Sequence, residues 1–125
     1  MKELVLREEL PPDDVVVVIR GGEMNSDFVR RTATRSYEEV GVFTVSVFLA
    51  LGDAVEELCR SVEDLERYGK VRLSTVGRLR SLGFALLPTL DAPHFDVLLP
   101  DLEAGTLDRL ELGFDPPVPN PARRR

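Results

Sequence analysis

The sequence predicts one α/β domain, with α+β as the alternative: a mixed sheet of about five strands flanked by three to four helices. Three observations carry this. Val15-Val16-Val17-Val18-Ile19 is an unbroken β-branched run, the pattern of a strand buried on both faces and central in a mixed or parallel sheet. A helical stripe and then a second alternating strand, Val42 to Leu49, follow it. Strands and helices alternate early, and two strands fall side by side late.

Taken in order, Leu4-Val5-Leu6 is a short edge strand ended by Pro11-Pro12, where two fixed φ angles and turn-forming Asp13 and Asp14 break any ladder. The Val15–Ile19 strand runs into Arg20-Gly21-Gly22, and Ser26 is the natural N-cap of a helix from about Asp27 to Val40. Val29, Ala33, Tyr37 and Val40 form its inner stripe, and Gly41 stops it. In the second strand Phe43, Val45, Val47 and Leu49 line one face, with Val42, Thr44, Ser46 and Phe48 on the other. Asp53 opens a helix to about Arg67 that buries Val55, Leu58, Cys59, Val62 and Leu65. Lys70–Leu73 is a short strand, and Ser74 caps a brief helix closed by Gly83. Phe84–Leu87 and Phe95–Leu99 are strands. Asp101 caps a last helix to about Leu112, with Leu102, Leu107 and Leu110 inward. Residues 1–113 form the domain. Residues 114–125, rich in proline and arginine, read as an extended C-terminal arm.

The 125 residues match the usual size of one domain. No stretch approaches a membrane span, and the N-terminus lacks the apolar run and cleavage pattern of a signal peptide, so a soluble cytoplasmic protein is expected. One cysteine, Cys59, leaves no internal disulfide, and one histidine, His94, argues against a metal site. The net charge of −6 disfavours nucleic acid as a partner. That charge is uneven. Asp53–Glu66 is acidic, whereas Arg67–Leu90 carries Arg67, Lys70, Arg72, Arg78 and Arg80 and no acid.

Four places could carry chemistry. Arg20-Gly21-Gly22 before a helix start would let an anion approach the backbone, with Arg20 as its partner. Neither a dinucleotide fingerprint nor a P-loop is present. Ser74, Thr75 and Arg78 repeat the same physics, and the two loops form one site only if their strands end on the same side of the sheet. Thr44 and Ser46 put alternate hydroxyls on one strand face. His94 is the candidate catalytic acid or base by side-chain type, although no partner is legible near it in sequence.

The segment 15–66 resembles compact ADP-ribosyltransferase-like toxin domains. Val17-Val18-Ile19-Arg20-Gly21 matches their early strand ending in an arginine that holds NAD, Phe43-Thr44-Val45-Ser46 approximates a Ser-Thr-Ser stretch, and Asp53-Ala54-Val55 opens the following helix. The resemblance implies NAD or another nucleotide as ligand. It also implies a late catalytic glutamate on a strand. No Glu-x-Glu follows Glu66, and Glu103 and Glu111 fall in the last helix, so catalysis is either absent or rests on His94. The sequence thus predicts a protein binding an anionic or nucleotide-like ligand. The alternative is a noncatalytic module, self-associating or paired with a neighbouring gene product as in a toxin–antitoxin system, using the acidic helix and the basic tail. RNA binding through Arg67–Arg80 ranks last, because only Tyr68 and Phe84 are near enough to stack.

Overall fold

Residues 6, 11–20, 26–50, 55–62, 65, 68–90 and 93–123 are described by a computed structural model, with Arg20, Ser26 and Arg123 defined by their backbones alone. The elements are β1 (Val16–Arg20), α1 (Ser26–Val40), β2 (Phe43–Ala50), α2 (Val55–Ser61), β3 (Lys70–Thr75), α3 (Val76–Ser81), β4 (Ala85–Leu87), β5 (His94–Leu99), α4 (Ala104–Leu112) and β6 (Val118–Pro119). A 3-10 turn at Pro121–Arg123 follows. The α/β class is the one predicted, with four helices among the described residues. The sheet has six strands in the order β4-β5-β2-β1-β3-β6.

Every pairing is antiparallel, where the sequence pattern suggested a mixed sheet. The reason lies in how the faces are covered. Val17 and Ile19 point into a large core with Val29 and Ala33 of α1, Val76 and Leu79 of α3, and Leu107 and Leu110 of α4. Val18 points the other way, against Leu58 and Cys59 of α2, Leu65 and Val71. A strand roofed on both sides shows the same apolar run whichever way its neighbours point, so the run reports coverage and not strand sense. Gly41 adopts φ +82, its amide closes α1 on the Tyr37 carbonyl at 2.9 Å, and the chain enters β2 two residues later. Tyr37, expected inside, stacks on Phe43 and stays half exposed.

The C-terminal segment, expected as an extended arm, is docked and adds an edge strand and a 3-10 turn. Val118 and Pro119 pair with Val71 and Lys70 as an edge strand, where proline's missing N–H costs no ladder bond. Asn120 is 1% exposed; its amide nitrogen donates to the Leu65 and Tyr68 carbonyls, both at 2.8 Å, and its oxygen accepts from the Ala122 N–H at 3.0 Å. Ala122 packs on the α2 cluster. At the other end Leu6 bridges Thr89 beyond β4, while Leu4 and Val5 of the expected edge strand lie outside the described residues. No helix among the described residues is long and apolar enough to cross a membrane.

Candidate functional site

The two loops proposed to share an anion do not converge. β1 and β3 are antiparallel, with Val16 opposite Thr75 and Arg20 opposite Val71, so Arg20 and the Ser74–Arg78 turn lie at opposite ends of the strand pair. Gly21, Gly22 and the Arg20 side chain lie outside the described residues. The second loop is engaged internally. Ser74 is buried and its hydroxyl donates to the Gly113 carbonyl. Thr75 caps α3 by accepting from the Arg78 N–H at 3.1 Å. Arg78 donates to Asp115 at 2.7 Å and to the Leu112 carbonyl at 2.8 Å.

The rest of the basic segment is built into the fold in the same way. Arg72, 8% exposed, donates to the Asp115, Glu111 and Phe114 carbonyls, satisfying the carbonyl end of α4, where positive charge is favoured. Arg80 holds the Pro11 carbonyl and Asp13. These arginines fasten the α4 C-terminus and the 11–15 turn to the sheet, a structural use that explains their clustering.

A different group of side chains comes together on the face that α2 roofs. Where that roof ends at Phe48, the same face continues in polar residues. Ser46 lies opposite Asp96 and Phe48 opposite His94 in the β2–β5 register, so all four project from one side. His94 and Asp96 are nearly buried, Thr89 is 2% exposed, and Ser46 is exposed. The Ser46 hydroxyl oxygen is 3.1 Å from His94 Nε2. His94 Nδ1 lies 2.9 Å from the Thr89 hydroxyl and 3.3 Å from the Thr89 carbonyl. The Thr89 hydroxyl donates to Asp96 Oδ2 at 2.8 Å, and Ser46 lies 3.4 Å from Asp96 Oδ1. Phe48 meets the imidazole edge-on, with centroids 5.3 Å apart.

Proton positions follow from donor and acceptor capacity. The Thr89 carbonyl only accepts, and the Thr89 proton is committed to Asp96, so Nδ1 carries the imidazole hydrogen. Nε2 therefore presents its lone pair to the Ser46 hydroxyl in the neutral ring. Of the residues singled out from sequence, the structure brings together Ser46 and His94. Asp96 and Thr89 are not among those residues, although His94-Phe95-Asp96 on a strand places its first and third residues on one face. Thr89 had no such signal; it is delivered from a loop in which Leu90 takes φ +53. Thr44, the other hydroxyl on β2, is a packing residue bonded to Ser36 at 2.6 Å.

Ser46 also borders a fork in the sheet. β1 and β2 pair only from Val16↔Ala50 to Val18↔Phe48, whereas β2 stays on β5 back to Phe43 and β1 stays on β3 out to Arg20. In the gap is a cavity of about 110 Å³ lined by Ile19, Phe28, Thr32, Val45, Ser46, Phe48 and Leu65. Phe28 also borders an open groove along the outer side of α1, with Arg30, Arg31 and Arg35 on it. Comparison with protein-family models, with curated proteins and with solved structures finds no match to this chain. Fold and site define an α/β protein with an antiparallel six-stranded sheet, forked at its centre, and a Ser–His–Thr–Asp network beside the fork.

Proposed function

We propose that the chain binds a nucleotide-like ligand at the fork between β1 and β2, in a site of the ADP-ribosyltransferase-like kind. The observation that carries this reading is the fork itself: a small cavity bordered by Ser46, with His94 and Asp96 directly behind it. Two further features support it. β1 runs to Arg20 on the far side of the same gap. Asp96 is a late carboxylate on a strand, beside the Ser46 strand, where the resemblance calls for an acid that the sequence lacks as Glu-x-Glu.

The cavity sets the ligand's shape. At about 110 Å³ it takes a single small ring and not a whole dinucleotide. The phosphates of NAD would then lie outside, along the α1 groove carrying Arg31 and Arg35. NAD at a hundred times its Kd should stabilise the fold by about 2.7 kcal/mol, an easily read rise in melting temperature. Arg20→Ala should abolish that rise, and Ser46→Ala should reduce it. Flat melting curves across a panel of mono- and dinucleotides at millimolar concentration would dismiss the proposal.

A further inference from the structure

We infer that Ser46 is a base-activated nucleophile, with His94 as its general base, able to take an acyl group from a small activated ester. The inference goes beyond ligand binding at the fork and does not depend on a nucleotide. It rests on hydrogen-bond direction. A serine attacks well when its proton has an acceptor already in place and that acceptor is held in the correct tautomer by a third group. Here Nε2 accepts from Ser46 at 3.1 Å, and Nδ1–H is held by Thr89, itself oriented by Asp96 at 2.8 Å. His94 is buried and Ser46 is exposed, so the serine is reachable from solvent while its proton acceptor is sheltered from competing water.

The surroundings suit the developing charge and the leaving acid. The Leu49 N–H bonds the Pro93 carbonyl at 3.1 Å, which marks Leu49, and by alternation Val47 and Val45, as residues whose backbone faces β5. The Ser46 N–H therefore aims toward β1, into the fork, beyond the last β1–β2 pair at Val18↔Phe48. An ester carbonyl attacked by Oγ would direct its oxygen at that amide, the arrangement that stabilises a tetrahedral oxyanion. Ile19, Phe28, Val45, Phe48 and Leu65 supply an apolar wall for a short acyl chain.

In the forward step the Oγ–C bond forms and the Ser46 proton passes to Nε2. The C–O bond to the leaving alcohol then breaks, and Nε2–H protonates that oxygen. Water attacks the acyl-serine with Nε2 again taking the proton, releasing the carboxylic acid and restoring Ser46.

The test uses the full chain, an alkyl fluorophosphonate and p-nitrophenyl butyrate, with peptide mass spectrometry and circular dichroism on every variant. With the fluorophosphonate, Oγ–P forms, P–F breaks, fluoride leaves, and the proton taken by Nε2 is lost to water. The expected result is one adduct per chain on Ser46, absent in Ser46→Ala and slowed about a hundredfold or more in His94→Ala. Added imidazole should partly restore labelling in His94→Ala. Should His94→Ala fail to fold, Thr89→Val, which keeps the side chain's shape, should slow both labelling and ester hydrolysis at least tenfold while leaving Ser46 in place. No adduct on Ser46 in the folded chain, or equal labelling rates with and without His94 or the Thr89 hydroxyl, overturns the inference.

Discussion

Asn120→Ala tests the docked tail directly. Asn120 makes three side-chain hydrogen bonds while essentially inaccessible to water: two donated to the Leu65 and Tyr68 carbonyls and one accepted from the Ala122 N–H. A typical buried hydrogen bond contributes about 1 kcal/mol net, so the substitution should cost about 3 kcal/mol. For a chain of 125 residues the unfolding entropy at the midpoint is about 0.26 kcal/mol per degree, which converts that loss to a fall of about 11 °C. One limit applies. If the tail undocks as a unit, Asn120→Ala cannot cost more than deleting residues 118–125, so both belong in the same calorimetric series. A loss under about 1 kcal/mol, or one exceeding that of the truncation, would refute the view that Asn120 fastens the tail to the turn after α2. The truncation also bears on partner binding. α2 and the 3-10 turn pack on each other within the chain, so removing the tail perturbs the fold as well as any docking surface.

Two further outcomes follow from single positions. Gly77→Ala should destabilise the chain although alanine is the better helix former by about 1 kcal/mol, because the new Cβ would lie 2.8 Å from Asp13 Cβ and 3.2 Å from its carbonyl oxygen. A higher melting temperature for that variant would show that the 11–15 turn yields freely. Asp101 accepts from the Thr106 hydroxyl and the Glu103 N–H, and these hold its carboxyl below the usual range. A folded-state pKa below the unfolded one contributes stability above the unfolded value, near pH 4, that is lost as pH falls through the folded value. The difference in melting temperature between wild type and Asp101→Asn should therefore shrink on acidification from about pH 6 to below about pH 3. A difference constant with pH would remove Asp101 from the acid limb.

Local sequence rules performed well where a backbone needs a particular residue. Gly41 ends α1 in the left-handed region, and Cys59 is a buried core residue whose thiol is pushed up by desolvation. Val45, Val47 and Leu49 face the large core as their alternation requires. What sequence left open was long-range pairing. Strand sense was misjudged because double-sided burial looks alike in parallel and roofed antiparallel sheets. The site was half legible: Ser46 and His94 stood out singly, but the contact between them spans 48 positions and depends on the β2–β5 register. The arginines of β3 and α3 suggested an anion because sequence cannot show that Arg72 and Arg78 are spent on carbonyls at the end of α4.

Mechanically, the fork makes the sheet two three-stranded plates, β4-β5-β2 and β1-β3-β6, joined by a seam of three residue pairs. α2 and the tail brace β3, Arg72 straps α4 to β3, and α1 stays on β2 through the Ser36–Thr44 bond and the Tyr37–Phe43 stack. Wedging the fork apart strains the seam before it strains either plate. The groups on β2 and β5 keep their mutual distances as the gap widens, and the facing wall from β1 recedes. The geometry of the proton relay is thus separated from the width of the opening that a ligand must enter.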